Sequence, residues 1–140
     1  MSGLSAARYP VLSGRAKVAL SLRLVRCYLT VHSVLRRDPL PAAVERLRAE
    51  SPTDLVSVHP VRLGRIVRRV LRLGPIKPRC LTASLVLYQL LRGRGEQAQL
   101  VIGLPRTPVD KRAHAWVEIE GVDVGPPPGR AGHVELARYG

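Results

Sequence analysis

The sequence predicts an α+β domain: amino-terminal helices, then a buried, cysteine-bearing helix packed on a small antiparallel β-sheet. Three observations predict it. Apolar residues recur at spacings of three and four through most of the first 92 positions, and from position 97 the spacing changes to two. With 140 residues, 46% of them apolar, the chain can bury one core, whereas two separate cores would each be marginal. It is therefore expected to be one compact domain, described as an amino-terminal helical segment (1–60) and a core (61–140).

The first dozen residues are expected to be frayed. Over 14–37, Leu20, Leu24, Cys27, Tyr28, Val31, Val34 and Leu35 form an apolar stripe, with Arg23, Arg26, Thr30, Ser33 and Arg37 set against it. This is an amphipathic helix, and Cys27 on its stripe is expected to be a buried core thiol. Asp38-Pro39-Leu40-Pro41 ends that helix and starts a short one, because proline suits a first helical turn and disfavours helix for the residue before it. Leu40, Val44 and Leu47 give the second helix its apolar face.

After a turn-rich stretch at 50–54, a third helix is expected to open near Pro60 and bury Leu63, Ile66, Val67, Val70 and Leu71. Arg62, Arg65, Arg68, Arg69 and Arg72 take its other face, and Gly74-Pro75 stops it. The fourth helix, from Cys80 to about Arg92, is apolar almost all round, the mark of a helix inside a core. Gly93 and Gly95 end it.

Residues 97–104 alternate and read as a strand, and 105–111 as a loop. Residues 113–119 alternate again, Glu120-Gly121 is a two-residue turn, and 122–125 return as a short strand. The Pro/Gly-rich tail from 126 reads as irregular.

A formal charge of +13, with only three lysines (Lys17, Lys77, Lys111) among 23 cations, fits either an acidic partner or arginines spread over solvated helix faces. Nucleic acid is disfavoured as that partner. There is no Phe, and the four Tyr and one Trp are scattered, whereas base stacking needs clustered aromatics. No segment approaches about 20 uninterrupted apolar residues, and the arginines of the first helix argue against membrane insertion. A soluble cytoplasmic protein with free thiols is expected, since Cys27 and Cys80 share no paired spacing. His32, His59 and His133 lack the spacing of a metal site.

Cys80 opens the buried helix, so unpaired backbone N–H groups and the positive helix end face its sulfur. Arg79 adds positive charge. Both favour the thiolate, the reactive form, and the same N–H groups could stabilise an oxyanion. Read on position alone, Cys80 is either a nucleophile or a small core residue. His114 lies in Ala113-His114-Ala115-Trp116-Val117-Glu118, where alternation puts Ala115, Val117 and Ile119 on one face and His114, Trp116 and Glu118 on the other. A histidine displayed on a strand towards a helix-opening cysteine is the base that nucleophilic catalysis requires.

Four ordered motifs, Cys80-Leu81-Thr82-Ala83-Ser84-Leu85-Val86-Leu87, Leu90-Leu91-Arg92-Gly93-Arg94-Gly95, Leu100-Val101-Ile102-Gly103 and Ala113-His114-Ala115-Trp116-Val117-Glu118 with Gly121, resemble the leader peptidase of lasso-peptide biosynthesis. That family is a branch of the transglutaminase-like cysteine-protease superfamily. The resemblance runs from about Arg65 to the carboxyl end. It implies a papain/transglutaminase-like fold and a cysteine protease that removes the leader from a ribosomally made precursor peptide. Cys80 would be nucleophile and His114 base, no cofactor is implied for the peptidase, and a partner cyclase closes the macrolactam with ATP.

Some members of the family carry a winged-helix leader-recognition domain. The first 60 residues here are too short and too helical for one, so recognition is expected from a separate small protein, with the arginine-lined faces as candidate docking surfaces for it or for an acidic leader.

The family also uses a carboxylate to orient the histidine, about a dozen residues after it, where this chain has Gly125-Pro126-Pro127. Asp123 is the candidate. With a two-residue turn at Glu120-Gly121, Asp123 pairs across from Glu118, roughly 13 Å along the strand from His114. A wider turn with a bulge, or orientation by Glu135 or a backbone carbonyl, are the alternatives. Trp116 and Ser84 are candidate substrate contacts, with core packing for Trp116 and a hydrogen bond within its own helix for Ser84 as the competing expectations.

Overall fold

A computed structural model of the chain describes residues 14–49, 58–72, 80–107, 113–125, 129 and 132–140. Four helices come first: α1 (Gly14–Arg37), α2 (Leu40–Ala49), α3 (Pro60–Arg72) and α4 (Cys80–Gly93). Four strands follow, β1 (Ala98–Pro105), β2 (His114–Ile119), β3 (Val122–Gly125) and β4 (His133–Tyr139). The α+β class is the one the periodicities predict. The residues before 14, the turn at 50–54, the Gly74-Pro75 stop and the centre of the 105–111 loop lie outside the described residues.

Helix α1 buries Leu20, Leu24, Cys27, Val31 and Val34. Its outward side departs from the expected polar stripe. Val18, Leu22, Val25 and Leu29 lie there, each about half to two-thirds exposed. Among the described residues α1 is the one helix long and apolar enough to cross a membrane by length and composition, with a mean hydropathy of 1.4. In this fold its inner face packs on α2, α3 and α4.

Pro39 interrupts the helical run: its carbonyl accepts the first bond of α2, from the Ala43 N–H at 2.9 Å. At the start of α3, the His59 ring nitrogen Nδ1 accepts from the Val61 N–H at 3.2 Å, a side-chain cap that satisfies one of the orphan donors of the first turn. Leu63, Val67 and Leu71 of α3 face inward, and Arg62, Arg65, Arg68, Arg69 and Arg72 stay exposed.

Helix α4 runs through the middle, with every residue from Thr82 to Leu91 buried. The antiparallel sheet has the order β3-β2-β1-β4. Strands β1 and β2 pair in continuous register from Ala98↔Ile119 to Gly103↔His114. Ala98, Leu100, Ala115, Val117 and Ile119 join the helices' core. On β2, Trp116 and Glu118 are buried as well, at 1% and 2% exposure, so the strand is covered on both faces.

Strand β4 corrects the expectation of an irregular tail. It pairs with β1 as the fourth strand, with a bulge between Ile102 and Gly103 that leaves Leu136 without a partner. The bulge breaks the alternation, and Val134 and Leu136 remain exposed. The Glu120-Gly121 turn is two residues long, both with positive φ (51° and 78°), the geometry that suits the twist of a tight hairpin.

Candidate active site

Cys80 and His114 are the first residues of α4 and β2. A side-chain bond fixes the two elements together at that end: the Ser84 hydroxyl donates to the Ala115 carbonyl at 2.9 Å, one helical turn beyond Cys80 and one residue beyond His114. The structure therefore brings the two sequence candidates into hydrogen-bond contact.

The Cys80 thiol is half-buried. Its pKa lies below the ordinary thiol value, chiefly because of the hydrogen bond to His114. Burial works against this. The backbone N–H groups of Ala115 and Leu81 and the charge on His114 reinforce it. Cys27 behaves oppositely: burial pushes its thiol up, with Arg23 and Arg26 only partly offsetting that.

His114 sits in an aromatic cluster. Its ring stacks on Trp116 (centroids 6.0 Å apart, planes at 28°) and lies 5.0 Å from the His133 ring. Gly129 packs on the same imidazole so closely that an added Cβ would meet the His114 Cδ2 at 2.5 Å and the Trp116 Cε3 at 2.6 Å. Only glycine fits there.

Asp123 pairs across from Glu118, the register expected from the two-residue turn. A bulge follows at once, between Val117 and Glu118, although the turn itself keeps only two residues. The Asp123 carboxylate accepts from the Gly125 N–H at 2.9 Å and the Gly129 N–H at 2.6 Å. The Gly129 carbonyl meets His133 Nδ1 at 2.7 Å. Asp123 and His133 thus grip the two sides of Gly129, and Gly129 presses on His114. Glu135, the other carboxylate considered, engages Arg138 with both oxygens, at 2.6 and 3.2 Å.

Ser84 and Trp116, the two candidate substrate contacts, both have partners within the fold. Ser84 is fully buried, and its hydroxyl donates to the Ala115 carbonyl of β2 rather than to its own helix. Trp116 is 1% exposed and donates its indole N–H to Glu118 at 2.8 Å. Its ring is a wall behind His114. Glu118 completes the support through Arg138, 3.1 Å away.

Gly129, His133 and the Glu118–Arg138 pair were not singled out for the site by sequence reasoning. Pro126-Pro127-Pro128-Gly129 offers a turn signal but no indication of which side chain the turn returns to. Arg79, expected beside Cys80, lies outside the described residues. Among the described residues no three His, Cys, Asp or Glu side chains converge as a metal-binding group.

The arrangement offers a thiolate-prone sulfur, an imidazole in contact with it, and backbone N–H donors around the sulfur. That is the equipment for forming and breaking a thioester. A family model described as the transglutaminase-like superfamily matches residues 18–137. Neither the curated proteins nor the solved structures compared with the chain give a match.

Proposed function

The chain belongs to the transglutaminase-like superfamily, and from that premise we propose that it is a cysteine peptidase that removes the leader from a ribosomally made lasso-type precursor peptide. The observation that carries the chemistry is the hydrogen bond between Cys80 and His114 at the mouth of α4, with the thiol's pKa lowered by it. The four ordered motifs from Cys80 to Gly121 carry the choice of substrate.

In this mechanism the Cys80 sulfur attacks the carbonyl carbon of the scissile bond as a thiolate, and His114 holds the proton. Backbone N–H groups around the sulfur, those of Leu81 and Ala115 among them, favour the negative charge. Collapse of the tetrahedral intermediate breaks the C–N bond, and His114 gives its proton to the departing amine. Water then attacks the thioester with His114 as base, releasing the leader's carboxylate and restoring the thiol. Asp123 acts through Gly129 to keep the imidazole in place. A separate recognition protein presents the leader, and a cyclase uses the freed core peptide.

The test is to incubate the protein with a lasso-type precursor peptide and a separate leader-recognition protein, and weigh the products. Hydrolysis gives a leader with a free carboxylate, and Cys80→Ala gives none. A leader joined to an added amine indicates acyl transfer on the same scaffold. Processing that persists in Cys80→Ala overturns the reading.

A further inference from the structure

Helix α1 carries two apolar faces, and the fold uses one. Val18, Leu22, Val25 and Leu29 follow one another at spacings of four, three and four on the side opposite the buried stripe, and stay 47 to 63% exposed. At about 1.5 Å per residue this outer stripe is roughly 16 Å long, three turns of helix. It is the length and spacing that a second amphipathic helix needs to lie alongside.

Charge borders the stripe. On the α3 side lies a groove of about 570 Å3 with Leu20 and Ile66 at its floor and Lys17, Arg62, Arg65 and Arg69 around it. No ion pair among the described residues engages any of these four cations. Arg26, exposed, borders the stripe's other side. Four cations in one concavity repel one another, and a carboxylate-bearing partner relieves that while matching arginine's forked donors.

We infer that the outer face of α1, with the α1–α3 groove, is a docking surface for an acidic amphipathic helix, whose apolar stripe covers Val18, Leu22, Val25 and Leu29 and whose carboxylates enter the groove. The shape favours a peptide over a lipid surface. Lys17 is roughly a third of a turn round α1 from the centre of the stripe, so the groove's cations are recessed from the plane a flat bilayer would occupy. Nucleic acid fits less well, because among the described residues no aromatic side chain lines the groove for a base to stack on. The surface involves no residue of α4 or of the sheet, so it does not depend on the peptidase reading.

The probe is a fluorescein-labelled synthetic 18-residue helix with leucines at the same four spacings and glutamates on both flanks, titrated with the full chain at two salt concentrations and followed by anisotropy. Binding should weaken at least about tenfold in Leu22→Ser/Val25→Ser and in Arg65→Glu/Arg69→Glu. Arg106→Glu, a charge change beyond β1, should leave it within about threefold. A lysine-flanked version of the peptide should recover binding to the charge-reversed variant. Circular dichroism confirms that each variant is folded.

Equal binding of a scrambled peptide of the same composition overturns the inference, as does indifference to the α1 and α3 substitutions. Partition onto phosphatidylglycerol vesicles, or binding of a 20-nucleotide DNA, that the peptide cannot displace also overturns it. So does self-association of the chain that Leu22→Ser abolishes. Because the readout is binding, Cys80→Ala should leave it intact even if no cleavage is ever seen.

Discussion

Asp123 accepts the Gly129 N–H at 2.6 Å, and that bond sets Gly129 against the His114 ring. Asp123 pairs with Glu118, four residues along β2 from His114, and meets that ring through a backbone segment that packs on it. The first prediction follows from the space available. Gly129→Ala should displace the imidazole, since its Cβ would stand 2.5 Å from a ring carbon. Cleavage should fall about 10- to 100-fold, the scale of a misplaced catalytic group. Asp123→Asn should act in the same direction, because an amide presents N–H where a carboxylate oxygen accepted one, leaving a donor unpaired at about 1–3 kcal/mol. Steady-state cleavage with thermal unfolding of the same samples checks both.

The two thiols should part company under alkylation. Only the thiolate reacts, and its fraction rises with pH through the pKa. Cys80 lies below the ordinary thiol value and is half-exposed, while Cys27 lies above it and is buried. Iodoacetamide near neutral pH should therefore label Cys80 first, with its rate profile reaching half-maximum at lower pH than that of a free thiol. In His114→Ala the main cause of the lowering is gone, and the profile should move to higher pH. Peptide mapping by mass spectrometry reads both sites at once.

Ser84→Ala tests the tie between helix and strand. The hydroxyl is fully buried and donates to the Ala115 carbonyl, so its loss should cost about 1 kcal/mol in chemical denaturation. The larger effect should be on the pairing of Cys80 with His114, which flank that bond on α4 and β2. A shift of the Cys80 alkylation profile towards the free-thiol value distinguishes loss of alignment from loss of stability alone.

Much of this was legible in the sequence, because it depends on local periodicity. The bounds of α1 at 14 and 37, the opening of α4 at Cys80 and the hairpin at Glu120-Gly121 all come from spacings within a few residues. So does the pairing of Asp123 with Glu118, which the turn length dictates. What escaped is non-local or obscured by a second signal. The outer stripe of α1 is hard to see in the sequence because Arg23, Arg26 and Arg37 lie on its flank, between the two apolar faces. Strand β4 was hidden by the three prolines before it and by the bulge opposite Ile102 and Gly103, which breaks its alternation. That Gly129 returns to His114 is a property of the closed fold, and no spacing in the chain encodes it.

Glu118 and Arg138 pose the last test, because here a buried charge supports the site from behind. Glu118 is 2% exposed and holds the Trp116 indole on one oxygen and the Arg138 guanidinium on the other. Arg138 is shared, since Glu135 also grips it, and both carboxylates hold its pKa above the ordinary value. Arg138→Ala removes the partner and leaves a carboxylate inside, so stability should drop by about 2–3 kcal/mol. Glu118→Gln should cost less, because the amide oxygen can still accept the indole N–H and no charge is left unpaired. If the pair matters through Trp116, the double variant Glu118→Gln/Arg138→Ala should be more stable than Arg138→Ala alone and should keep the fluorescence spectrum of a buried tryptophan. Equal destabilisation in the single and double variants would mean that Arg138 acts through packing of its stem on the sheet rather than through the charge of Glu118.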